Sequence, residues 1–152
     1  MRLSICTDMI FTGLKSYGDR IRAAADAGAA AIEFHLWREK PIDEIEAALR
    51  ETGLGLTGII CDPRRSLADR SLHAQSLQDL REAIAIAARL GAQTVLCTAS
   101  LRLEHVPTDE QRSNIVAYLR QAAPLAAAHS VTLVIEPVND VDHAGAFLVS
   151  TR

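Results

Sequence analysis

Short runs of apolar and β-branched residues alternate along this chain with longer stretches whose apolar positions recur every three or four residues. Residues 2–6 read as a first strand. Residues 17–27 read as a helix with Ile21, Ala24 and Ala25 on one face, closed by Gly28. A second strand is expected over 30–34. Pro41 then opens a helix as a first-turn proline, with Ile42, Ile45 and Leu49 on its apolar face. Gly53 ends that helix and 54–60 is the third strand. A polar loop carrying Pro63, Arg64, Arg65 and Arg70 leads into a third helix, with Leu77, Leu80, Ile84 and Ala87 aligned and Gly91 as its stop. The fourth strand is 93–98. The fourth helix is expected to start with a capping box, Thr108 as hydroxyl cap and Gln111 three residues on. Ile115, Leu119, Ala122 and Ala126 would be buried, and Pro124 is expected to bend the helix or split off its last turn. The fifth strand is 131–135.

Strands alternating with helices imply a parallel sheet with right-handed crossovers. An open doubly wound sheet would normally carry a glycine-rich phosphate turn after its first strand. Residues 7–13, TDMIFTG, contain none. A TIM barrel is therefore preferred, although a full (β/α)8 barrel needs eight units and about 250 residues. The fold expected is α/β, an incomplete TIM barrel of about five parallel strands and four helices, with residues 1–152 forming the single N-terminal portion of the barrel domain. Ser150 and Thr151 read as the cap of a further helix.

Composition narrows the function class. Of 152 residues, 49% are hydrophobic but only 4% aromatic, so aliphatic and alanine packing must dominate the core. A net charge of -3 argues against a nucleic-acid surface. No run reaches the roughly 18 apolar residues of a membrane span, and no secretory signal precedes Asp8. Three cysteines, Cys6, Cys61 and Cys97, are an odd number without short metal spacing, which suits a reduced, cytoplasmic setting.

In such a barrel, chemistry gathers where strands end and βα loops begin. The fifth strand, Leu133-Val134-Ile135, runs straight into Glu136 and then Pro137, which cannot continue a central strand. An ionised carboxylate there needs a cation or hydrogen-bond donors. It is either received by a bound cation or a capped, salt-bridged strand end. Asn139, Asp140, Asp142 and His143 follow as possible ligands. Glu33 and His35 end the second strand; His35 either lines a site or packs under the loop ahead of Trp37. Crowded carboxylates and imidazoles suit a hard or borderline divalent cation. Plainer readings exist for the rest: the cysteines as buried space-fillers, His73 as a loop residue without a partner, His105 as solvated, and His129 as a helix C-terminal residue. The Arg64-Arg65 pair could meet an anionic substrate or simply face solvent.

The stretch 133–148, LVIEPVNDVDHAGAFL, resembles the xylose-isomerase-like (sugar isomerase/epimerase) barrel superfamily, and within it the hydroxypyruvate isomerase branch. It follows that branch's Glu-Pro-x-Asn, Asp-His-Pro-Gly pattern with Ala144 in place of the proline. SICTDMIF, DAGAAAIEF and Trp37-Arg38-Glu39-Lys40 add weaker matches, and residues 59–62, IICD, depart from relatives that carry a histidine there. The likeness spans the chain but only roughly three-fifths of a family barrel.

The resemblance implies a divalent metal (Mg, Mn, Co or Zn), with Glu136 as one metal ligand and one of two acid/base carboxylates. The other ligands come from later strands. It also implies a small hydroxy-carbonyl acid or sugar as substrate, of the hydroxypyruvate/tartronate semialdehyde type. His35, Trp37, Asn139 and His143 are the substrate-binding residues expected. With the later ligands missing, the chain is expected to be inactive alone. The alternative is a non-catalytic partial barrel that self-associates as a homo-oligomer through open sheet edges.

Overall fold

The computed structural model of the protein describes residues 1–98, 100–143 and 150–151. Its strands and helices alternate as β1 (Ser4–Cys6), α1 (Tyr17–Asp26), β2 (Ala31–Phe34), α2 (Ile42–Thr52), β3 (Gly55–Ile60), α3 (His73–Leu90), β4 (Thr94–Cys97), α4 (Thr108–Ala127) and β5 (Thr132–Ile135). The five strands form one parallel sheet in the order β1-β2-β3-β4-β5. Consecutive parallel neighbours joined by helices are successive units of a (β/α)8 barrel, here without closure among the described residues. Beyond β5 lie β6 (Val138–Asn139), the one-turn helix α5 (Asp140–His143) and β7 (Ser150–Thr151).

Side-chain alternation along the strands separates two faces. Ile32, Phe34, Leu56, Ile59, Val95 and Cys97 are buried against the helices, in one cluster with Ile21, Ile45, Leu80 and Tyr118. The opposite face is the barrel interior, with Glu33, Gly58, Ile60, Thr94 and Leu96 in or around one hollow. The β2–β3 register slips between Ile32 and Glu33, leaving Thr57 opposite no residue and Glu33 opposite Gly58. The Thr57 hydroxyl fills the irregularity, donating to Ile32 O at 3.1 Å and meeting Ser4 Oγ at 3.0 Å.

At Gly58 the neighbouring strand comes too close for a side chain. A Cβ there would overlap the Thr94 hydroxyl, which is fixed by donating to Thr57 O at 2.8 Å. Gly58→Ala is expected to cost about 1–3 kcal/mol, read by denaturant unfolding, with partial recovery in the Gly58→Ala/Thr94→Ala double variant. Wild-type stability in the single variant would contradict this packing.

Four details differ from expectation. Thr108 is the first helical residue of α4 and makes no side-chain cap. Gln111 is 2% exposed and turns under the preceding loop instead. Its amide donates to Leu103 O at 2.9 Å and Val106 O at 2.6 Å and accepts from Leu103 N at 2.8 Å. The Gln111 amide thereby satisfies three backbone groups of the loop, where in a capping box its side chain would satisfy one N–H. Pro124 does not split off the last turn of α4, which continues to Ala127, with Ala128 N still donating to Pro124 O at 3.1 Å. His73 opens α3 buried, its Nε2 2.9 Å from Leu67 O and its ring edge-on to Tyr118 at 5.5 Å. Ser150 and Thr151 are strand residues, paired in parallel with Val138 and Asn139.

Candidate active site

Strand β5 pairs with β4 through Leu96↔Val134 and Cys97↔Ile135. Leu133 and Ile135 pack against the helix-side core, so Val134 and Glu136 fall on the interior side. Pro137 stops the strand there, leaving the Glu136 carboxylate at the mouth. Glu136 is exposed and, among the described residues, makes no hydrogen bond or ion pair. It borders two hollows. The larger, about 560 Å³, is walled by Ile60, Leu96 and Leu101 and edged by Arg64, Thr98 and Asn139. The smaller, about 140 Å³, brings Glu136 together with Glu33 and His35 over Gly58.

The expected site residues separate. Asn139 shares the larger hollow with Glu136, while its Oδ1 accepts from Asp142 N at 2.9 Å and so caps α5. His35 shares the smaller hollow, with Nε2 3.6 Å from Cys6 Sγ. Trp37 packs against the core with the Arg38 guanidinium 4.7 Å from its ring centroid, and it borders neither hollow. Its indole nitrogen is buried without a hydrogen-bond partner. His143 ends α5, and its side chain lies outside what is described.

Two polar clusters hold the loops around this mouth. After β1, Asp8 accepts from the Tyr17 hydroxyl, from His35 N at 2.6 Å and from Lys40 Nζ at 3.1 Å. Lys40 also donates to the Tyr17 hydroxyl at 2.8 Å. Burial pushes the Asp8 carboxyl up, but the donors Tyr17, His35 and Lys40 outweigh it and leave it below the usual range. For Lys40, burial pulls down and the bonds to Tyr17 and Asp8 prevail, so its ammonium is held above its usual value.

A depressed carboxyl contributes stability above the unfolded value near 3.9, lost as pH falls through the folded one. A raised lysine contributes below about 10.4, and that is lost as pH rises through its folded value. The pair therefore supports the fold across roughly pH 5–10. Lys40→Met is expected to move acid unfolding to higher pH, at a neutral-pH cost on the order of 1–3 kcal/mol. Coincident acid limbs in pH-dependent denaturant titrations would count against it.

The second cluster centres on Asp79 of α3, whose side chain is 5% exposed. It accepts from Arg65 Nε at 2.6 Å and Arg38 at 3.3 Å, while Arg38 also meets Glu82 at 2.7 Å. Arg38 in turn reaches the β3–α3 loop, donating from its backbone N to Asp62 Oδ2 at 3.1 Å and from Nε to Asp62 O at 2.8 Å. Sequence pattern alone misses this clamp, since Asp79 lies on a helix between apolar positions and its partners are 41 and 14 residues away.

Cys61 and Cys97 are buried and Cys6 half-buried. Burial pushes the Cys61 thiol up to about 12 and that of Cys97 to about 11. Burial also raises Cys6, with Glu33 and Asp8 adding to it. All three are thiols at neutral pH, unsuited to thiolate chemistry. For the implied divalent cation, Glu136 is a fitting oxygen donor. Among the described residues, however, no group of three or more His, Cys, Asp or Glu could hold a metal. These residues alone do not make that site, because one carboxylate leaves most of the coordination sphere empty. No helix of the described residues is long and apolar enough to cross a membrane.

With the geometry in place, comparisons identify the lineage. Residues 21–148 match the xylose isomerase-like TIM barrel family. The whole chain aligns at 25% identity with hydroxypyruvate isomerase of Escherichia coli K12, spanning 61% of that relative's length. Among solved structures, an AP endonuclease, family 2, from Brucella melitensis superposes with a TM-score of 0.88 at 20% identity, over 97% of this chain and 59% of that one. The 3-keto-D-glucoside 4-epimerase of E. coli superposes with a TM-score of 0.77 at 20% identity, over 91% of this chain and 57% of that one. At such identities the two structures speak to the fold alone.

Proposed function

The chain belongs to the xylose isomerase-like TIM barrel family, and on that premise we propose that it is the N-terminal part of an isomerase acting on a small hydroxy-carbonyl acid or sugar. The observation that carries this reading is Glu136, without a partner among the described residues at the end of β5 and bordering both interior hollows.

In the reaction, Glu136 takes a proton from the hydroxyl-bearing carbon beside the carbonyl. The electron pair moves into the carbonyl, giving an enediolate. A proton returned to the former carbonyl carbon, with the hydroxyl proton passing between the two oxygens, completes the isomer without net oxidation. Asn139, which shares the larger hollow, and His35, which shares the smaller, are proposed to bind the substrate together with His143, whereas Trp37, packed on the core away from both hollows, is not retained as a binding residue. Glu136 is also the chain's one proposed ligand to a divalent metal, which would supply Lewis-acid polarisation when bound. The remaining ligands lie outside the described residues, so residues 1–152 are expected to be inactive alone.

The test supplies Mg²⁺, Mn²⁺ or Co²⁺ to the purified chain, alone and joined to the part of the E. coli relative that lies beyond the match. Hydroxypyruvate and tartronate semialdehyde should interconvert only in the joined form. Activity that survives Glu136→Gln would remove the proposed role.

A second reading, a non-catalytic partial barrel that self-associates, is favoured by one observation. Among the described residues β1 and β5 are open edges of the sheet, and Leu3, Met9, Ile10 and Leu14 are exposed around the β1 end. Open edges template pairing with another chain. Light scattering is expected to give a mass of at least twice 16.5 kDa, and a monodisperse monomer would rule this reading out.

A further inference from the structure

The β3–α3 loop carries two adjacent arginines in different circumstances. Arg65 is committed, its Nε held 2.6 Å from the buried Asp79 carboxylate. Arg64 is exposed and, among the described residues, has neither a hydrogen bond nor an ion pair. Both edge the larger hollow on which Glu136 opens. The loop is pinned on both sides of Arg64. Arg65 N donates to Pro63 O at 3.0 Å, Ser66 Oγ to Leu101 O at 3.0 Å, and Leu67 N to the buried Ser100 hydroxyl at 3.0 Å. A free guanidinium is thus carried by a pinned loop at the edge of the cavity on which a free carboxylate opens.

That pairing gives the cavity a direction. Glu136 suits the end of a ligand that gives up a proton. Arg64 suits an end bearing an oxyanion, since a planar guanidinium offers paired donors that match a carboxylate. A neutral sugar would gain only weaker hydrogen bonds from its hydroxyls to Arg64. We propose that Arg64 is the specificity-determining residue of the Glu136 site, receiving the carboxylate of a small hydroxy-keto acid, so that the substrate is an acid rather than a neutral sugar. Arg65, tied to Asp79, is a positioning residue that keeps the loop in place. The inference rests on the isomerase reading for the identity of the site, but carboxylate binding can be measured without turnover.

Isothermal titration of the chain with glycerate, glycerol and glycerol 3-phosphate separates the possibilities, because none of the three carries a carbonyl to isomerise. Glycerate is expected to bind at least about tenfold tighter than glycerol. That preference should vanish in Arg64→Gln and return in part in Arg64→Lys. Circular dichroism and unfolding midpoints of these exposed-loop variants should match wild type. Equal affinities for glycerate and glycerol in wild type, or a preference that persists in Arg64→Gln, would overturn the proposal. So would tighter binding of glycerol 3-phosphate than of glycerate, which would assign the anion site to a phosphate ester. Arg64-dependent glycerate binding in a joined barrel without isomerase activity would uphold this inference while refuting the catalytic reading; isomerase activity indifferent to Arg64 would do the reverse.

Discussion

Glu136→Gln is expected to lower hydroxypyruvate isomerisation in the joined barrel by roughly 10²- to 10⁴-fold, the usual contribution of a positioned acid/base group. The substitution keeps the size of the side chain and removes its negative charge, and with it both the basicity and the carboxylate proposed to ligate the metal. Glu136 is exposed and makes no bond to other described residues, so folding should be untouched and the unfolding midpoint unchanged. The loss should fall on kcat more than on KM, since the proton is transferred in the transition state. An equal loss in Asn139→Ala, without a change in KM, would point to a different proton acceptor.

The largest effect on stability is expected at Asp79. Asp79→Asn leaves Arg38 and Arg65 without the carboxylate that binds both of them. Breaking a buried ion pair costs about 3–5 kcal/mol. Here the arginine side chains are 34% and 32% exposed and can recover hydration, so a loss of about 2–3 kcal/mol is expected. Because Arg38 also ties Asp62 and Arg65 anchors the loop, amide hydrogen exchange should quicken between residues 62 and 67. An unchanged denaturant midpoint would show that the clamp does not support the fold.

The order of elements was legible because each strand is a short run centred on apolar residues and several helices end on glycines that the backbone requires. Gly53 and Gly91 take positive φ of 70° and 71° at the ends of α2 and α3. The position of Glu136 was legible for a related reason: a carboxylate directly after an apolar run, followed by proline, has little choice but a strand tip. What escaped was decided by partners distant in sequence. Thr108 and Gln111 carry a good local capping signal, yet Gln111 is claimed by the backbone of Leu103 and Val106. His73 reads as a loop residue without a partner, but its partners are Leu67 O and Tyr118 of α4. Arg64 and Arg65 are adjacent in the chain, and only the buried carboxylate of α3 distinguishes the anchored one from the free one.

The central claim is that the carboxylate at the end of β5 removes a proton from carbon. It is tested most directly by following deuterium entry from D2O into hydroxypyruvate by NMR, with the joined barrel and its Glu136→Gln variant compared under the same metal. Deuterium at the hydroxymethyl carbon with the parent protein, and its absence with the variant, is the result expected. Deuterium entering at equal rates with both would contradict it.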